Sequence, residues 1–152
     1  MKAALVTGAN KGIGYEVARQ LAGKGFQVFV GARNRDAGKK AVAKIAEEGG
    51  KAIFLEIDVA DNQSVTVAAR EFAKAADHLD VLVNNAGIIV DGDDAILEIS
   101  DELLRKTLET NTLGALRVTR AFVPLLKKSK APRVINVAVV RRDADRCSHF
   151  GG

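Results

Sequence analysis

A doubly wound α/β fold on a parallel sheet of about five strands is the class this sequence predicts, and three observations predict it. Apolar runs of strand length alternate with helical patterns along the chain. A glycine-rich stretch, Thr7-Gly8-Ala9-Asn10-Lys11-Gly12-Ile13-Gly14, joins the first run directly to the first helical pattern. The remaining polar and glycine signals collect where strands end, and in open α/β sheets ligands bind outside those carboxyl ends.

Each element has its own warrant. Ala3 to Val6 is the first strand; after the loop, Ile13, Val17, Ala18 and Leu21 form a helical stripe that Gly23 and Gly25 close. Gln27 to Gly31 is the second strand, and Ala41, Val42, Ile45 and Ala46 mark a second helix ended by Gly49-Gly50. The third strand, Ala52 to Ile57, runs into Asp58-Val59, and a third helix from Asn62 to Ala76 buries Val65, Ala68, Ala69 and Phe72. Val81-Leu82-Val83 is the fourth strand, followed by Asn84-Asn85-Ala86-Gly87 and an acidic loop with Asp91, Asp93 and Asp94. One long helix follows, its inner face reading Leu104, Leu108, Asn111, Ala115, Val118 and Phe122. Pro124 is expected to kink or end it, with Lys127, Lys128 and Lys130 where cations favour a helix C-terminus. Val134 to Val140 is the fifth strand, and the expected strand order is 3-2-1-4-5. The folded domain is therefore placed at residues 1–140, and residues 141–152, which show neither period, as an irregular basic tail.

Composition limits the function classes. The 152 residues are 47% hydrophobic with no long apolar run, which fits a globular chain with a core and no membrane span. Met1 to Val6 is too short for a signal-peptide core, so a cytoplasmic protein is expected. The single cysteine, Cys147, excludes an internal disulfide and a Cys-based metal site, and no metal site is expected. The net charge of +4 is not spread over a surface: residues from Lys127 onward carry seven basic and two acidic side chains, while residues 1–126 carry 16 and 17. A near-neutral body with a short basic tail is not a nucleic-acid footprint.

The glycine stretch reads as a phosphate cradle. A chain that turns sharply from strand to helix, and lets a pyrophosphate approach its main chain, needs residues without Cβ at the turn and contact points. Gly8, Gly12 and Gly14 supply them, and the following helix offers unpaired N–H groups and a positive dipole end. The spacing G-x-x-x-G-x-G is not that of a Walker A loop, which needs Lys-Ser or Lys-Thr after its last glycine. After the second strand, no Asp or Glu lies between Val28 and Arg35 to accept hydrogen bonds from both ribose hydroxyls of NAD. Lys11, Arg33 and, further on, Arg35 instead place cations where a 2′-phosphate would sit, so NADP(H) is the expected cofactor.

Taken in chain order, Thr7 to Gly14, Asp58-Val59, Asn84-Asn85-Ala86-Gly87, Asn111 and Arg133-Val134-Ile135-Asn136-Val137 resemble the classical short-chain dehydrogenase/reductase family, and within it carbonyl-reductase-like members. The resemblance covers about residues 1–137. It implies a Rossmann-like fold, a nicotinamide cofactor and hydride exchange with a small carbonyl or alcohol. It also implies cofactor contacts from Gly8, Asn10, Lys11, Gly12, Ile13, Gly14, Arg33, Asp58, Val59, Asn85, Ala86 and Gly87, with Asp58 at the adenine. Asn111 is implied to distort its helix and organise a proton-relay water. The family usually pairs through the long helix and the next one, which this sequence lacks, so homo-oligomer formation stays open by resemblance, while the uncovered edge of strand five is expected to give oligomers, aggregation or low stability.

The departures are specific. The family places a catalytic Ser just beyond strand five and a Tyr-x-x-x-Lys pair on the next helix; this chain has Ala138-Val139 at the first position, and its only tyrosine, Tyr15, is followed four residues later by Arg19. Neither His78, His149, Cys147 nor Ser148 offers a substitute constellation. The expectation is a truncated form without normal catalysis, the alternative being a non-catalytic nucleotide-binding or interaction module. A one-base shift in one possible coding of residues 137–142 reads Ser-Pro-Ser-Ser-Gly-Ala, so a frameshift near codon 137 is a further expectation.

Overall fold

The computed structural model describes residues 1–88 and 99–138. Its elements are β1 (Ala3–Thr7), α1 (Gly12–Gly23), β2 (Gln27–Ala32), α2 (Arg35–Glu47), β3 (Lys51–Glu56), α3 (Asn62–Ala75), β4 (Val81–Asn84), α4 (Asp101–Leu108), a π turn (Glu109–Leu113), α5 (Gly114–Leu126) and β5 (Arg133–Asn136). The strands form one parallel sheet in the order β3-β2-β1-β4-β5, as expected. The acidic loop residues Asp91, Asp93 and Asp94, the strand residues Val139 and Val140, and the whole basic tail lie outside the described residues.

Strand β1 shows why both faces must be covered. Side chains alternate across a strand, so Ala3 and Leu5 enter one core while Ala4 and Val6 enter the other. The first core holds Phe29, Phe72, Phe122 and Leu82 between the sheet and α3 with α5. Phe72 is its centre, with its ring centroid 4.1 Å from that of Phe29 and edge-on to Phe122 at 5.5 Å. The second core packs Val28, Val30 and Val83 against Ala18 and Ala22 of α1 and Ala41 and Ile45 of α2. Among the described residues strand β5 has one strand neighbour, β4, and its Val134 and Ile135 are 43% and 47% exposed although they point to opposite faces.

Two expectations need correction. Ile13 does not join the buried stripe of α1; it is 59% exposed beside the loop, and the buried positions are Gly14, Ala18 and Ala22. The long helix is two α-helical segments joined by the π turn, and Leu104 and Leu108 are 41% and 48% exposed. A π turn accommodates one extra residue, which rotates the preceding segment by about 100° relative to the following one. A stripe continuous in sequence is thus broken in space: Val118 and Phe122 stay inside while Leu104, Leu108 and Asn111 do not. Pro124 lies in the last turn of α5, which closes two residues later at Leu126, as expected of a proline near a helix end.

Asp80 ties the strand beginnings together. Its main chain exchanges hydrogen bonds with Ala3 and Arg133, its Oδ2 accepts from the Ala3 N–H at 2.8 Å, and its Oδ1 accepts from the Ser129 hydroxyl at 2.6 Å. Burial pushes this carboxyl up, but the Ser129 hydroxyl, the Ala3 N–H and the His78 ring, 3.1 Å away, outweigh it, so its pKa falls below the usual carboxylate value. A depressed folded pKa gives stability that is present above the unfolded value and is lost as pH falls through the folded one. Asp80→Asn is expected to cost about 1–3 kcal/mol at pH 7 and to flatten the acid limb below about pH 4. Urea unfolding at several pH values checks this; parallel curves for the two proteins would remove Asp80 from the acid response.

Candidate functional site at the strand ends

The glycine loop leaves β1 through Thr7, whose buried hydroxyl receives the N–H groups of Asn85 and Ala86, both at 3.0 Å. The Asn85 side-chain amide returns the tie, donating to the carbonyls of Thr7 at 3.1 Å and Gly8 at 3.2 Å. Loop and strand-four exit are thereby one unit, and the glycines are needed to close it. Gly8 adopts φ +63°, and a Cβ there would sit 2.9 Å from the Ala86 Cα; a Cβ on Gly14 would lie 2.5 Å from the Gly8 carbonyl oxygen. Gly12 is different: it has φ +58° and open space above it.

The start of α1 suits an anion. Its N-cap residue, Lys11, is exposed and makes no side-chain capping bond, and the first turn carries no acidic residue, so the N–H groups face outward without a competing carboxylate. Asn10 and Ile13 flank this opening. The Ala9 N–H bonds the Gly31 carbonyl at 3.0 Å and holds the loop against the end of β2, where Arg33 is exposed. Among the described residues neither Lys11 nor Arg33 has an ion pair, whereas Arg35 makes an exposed pair with Glu56 across to β3.

At the end of β3, Asp58 and Val59 form a turn. Asp58 Oδ1 accepts from the Ala60 N–H, and the Asp58 N–H donates to the Ser64 hydroxyl, so one carboxylate oxygen serves the turn. Val59 is buried against Gly114, and its carbonyl accepts a 2.6 Å bond from Arg117. Asn111 sits in the middle of the π turn. Its Oδ1 accepts from the Ile88 N–H at 2.8 Å and its Nδ2 donates to the Ile88 carbonyl at 2.9 Å, over Gly87. Both ends of its amide are spent on the main chain, so its side chain positions Ile88. Asn84, on β4, donates to Thr119 and Asn136, while its buried Oδ1 has no partner among the described residues.

These contacts gather Gly8, Gly12, Gly14, Asn85, Ala86 and Gly87 around one loop, with Arg33 on one side and Asp58-Val59 on the adjoining strand end. Sequence reasoning did not single out Thr7, although a hydroxyl between an apolar strand and a glycine was its signal. Two open grooves, of about 480 and 420 Å³, lie instead along α3 and between α3 and α5. They are lined by Asn62, Thr66, Arg117 and Arg120 among others, away from this loop.

The family model described as short chain dehydrogenase matches residues 2–145. The chain belongs to the short-chain dehydrogenase family. The match runs eight residues past Val137, where the sequence motifs stop. The chain is 39% identical to the (+)-neomenthol dehydrogenase of Arabidopsis thaliana, over 89% of this chain and 52% of that protein. Among solved short-chain dehydrogenase structures, a variant of actinorhodin polyketide ketoreductase with NADPH superposes with a TM-score of 0.84 at 34% identity, covering 90% of this chain and 52% of that one. A metagenomic short-chain oxidoreductase in complex with NADP gives 0.84 at 28% identity, covering 92% and 63%. The chain thus spans about half the length of the curated relatives it matches.

Proposed function

We propose that this chain is the cofactor-binding half of an NADP(H)-dependent short-chain oxidoreductase acting on a small carbonyl or alcohol. One observation carries the cofactor choice: the Ala9–Gly31 bond holds the loop of Lys11 against the end of β2 that leads to Arg33, and no Asp or Glu lies between Val28 and Arg35 in the sequence. Two similar structures bound to NADPH or NADP support it. In this reading the α1 N-terminus and Gly12 hold the pyrophosphate, Arg33 and Lys11 the 2′-phosphate, and Asp58 and Val59 the adenine. Asn85, Ala86 and Gly87 line the ribose side, and Asn111 fixes the Ile88 main chain above it. The bound cofactor would supply or accept the hydride.

Proton transfer lacks its family agents here. With Ala138 at the serine position and no Tyr-x-x-x-Lys, loss of positioned acid–base help typically costs 10²–10⁴-fold, so turnover by this chain is expected at the edge of detection. The second reading is a nucleotide-binding module that works through a protein partner. Self-association through the exposed leucines of α4 and the apolar flank of β5 belongs to the proposal, as does a cytoplasmic setting. No helix among the described residues is long and apolar enough to cross a membrane.

Titrating both cofactors against the purified chain tests the proposal. NADPH is expected to bind at least about tenfold tighter than NADH; equal or tighter NADH binding defeats it. Light scattering on the same samples reads self-association, and fractionation of cells reads location. Turnover near that of complete reductases would reject the loss of acid–base chemistry.

A further inference from the structure

Arg117 joins two parts of the site that are far apart in sequence. Its side chain is only 17% exposed, and its guanidinium forks: Nη1 donates to the Val59 carbonyl at 2.6 Å, and Nη2 pairs with Glu109, the first residue of the π turn. Val59 belongs to the turn after β3, and the π turn carries Asn111, which clamps Ile88. A third contact closes the joint. Gly114, the first residue of α5, lies so near Val59 that a Cβ there would meet Val59 Cγ2 at 2.8 Å and the Val59 carbonyl at 3.2 Å. The buried Val59 is thus held on its carbonyl side and its side-chain side by one short stretch of helix.

We propose that Arg117 is a positioning residue that locks the Asp58-Val59 turn to the π turn bearing Asn111. This deepens the cofactor reading above and rests on it. The Glu109 carboxylate on one edge of the planar guanidinium steadies it while the other edge donates to the Val59 main chain, an angle that a lysine, a flexible point charge, cannot hold. Without the fork, the Val59 carbonyl loses its donor and Glu109 its counter-charge, so the turn and the widened helix move independently. The adenosine half of the ligand, which lies against Asp58 and Val59 in this reading, then binds a less ordered turn.

The test uses 2′,5′-ADP, which contains the adenosine half alone. Arg117→Met is expected to weaken its binding about five- to tenfold, Arg117→Lys to recover only part of that, and Arg120→Met, one helical turn away, to leave it unchanged. Amide exchange on the ligand-free protein supplies a reading that general destabilisation does not give. In Arg117→Met, protection should fall at residues 58–61 and in the π turn, and stay constant in β1 and β2. If Arg117→Met fails to fold, Gly114→Ala disturbs the same joint from the helix side, where alanine itself favours helix by about 1 kcal/mol. Binding unchanged in the variants while wild type binds overturns the proposal alone, as does a uniform loss of protection. Wild type that does not bind 2′,5′-ADP overturns the cofactor reading and the positioning role with it.

Discussion

Gly14→Ala is expected to destabilise the chain by about 2–3 kcal/mol and to abolish detectable NADPH binding. The new methyl group would be placed 2.5 Å from the Gly8 carbonyl oxygen and against the Asn85 amide, and neither can retreat. The Gly8 carbonyl is backbone in a loop already fixed at positive φ, and the Asn85 amide holds both Thr7 and Gly8. Alanine gains about 1 kcal/mol of helix propensity over glycine, which opposes the clash without cancelling it. Gly12→Ala makes the contrast. There, nothing lies within 4 Å and only the positive φ resists the side chain, a cost of roughly 1–2 kcal/mol. Urea melts of both variants decide the matter: a Gly14→Ala protein as stable as wild type would show that Asn85 does not anchor the loop as described.

The second large effect falls on cofactor choice. Arg33→Ala should weaken NADPH binding about 10- to 100-fold, the range for hydrogen bonds to a charged partner, while NADH binding changes less than about twofold. Arg33→Lys should keep part of the charge attraction and lose the paired geometry, giving an intermediate affinity. Raising salt should reduce the preference for NADPH in wild type and hardly alter it in Arg33→Ala, since an exposed ion pair is screened. Equal losses for both cofactors in titrations of Arg33→Ala would move Arg33 from phosphate recognition to general support of the loop.

Local chemistry made much of this architecture legible in advance. The strands follow from apolar runs, their order from the fold that the resemblance implied, and the glycines of the loop have steric reasons that Gly8 and Gly14 meet in contacts. What was hidden depends on partners distant in the chain. The phase break between α4 and α5 has no local mark beyond Asn111, because the groups at the π turn, Val59 and Ile88, lie 58 and 23 residues from the side chains that bind them. Ile13 read as core because its spacing fits a stripe, but a helix that opens at Gly12 beside the glycine loop turns that position outward.

The position of β1 between β2 and β4 has a consequence for the order of assembly during synthesis. When residues 1–75 have left the ribosome, β3, β2 and β1 can pair and α1 and α2 can cover one face, but β1 still presents an open hydrogen-bonding edge. That edge closes only when Val81 to Val83 arrive opposite Ala4 to Val6, and the other core lacks Phe122 until α5 emerges. Long-range pairing of this kind delays closure and leaves an apolar edge exposed in the interval. The nascent chain is therefore most vulnerable to misassociation at a stage when its glycine loop is already translated but the Asn85 anchor that shapes it is not.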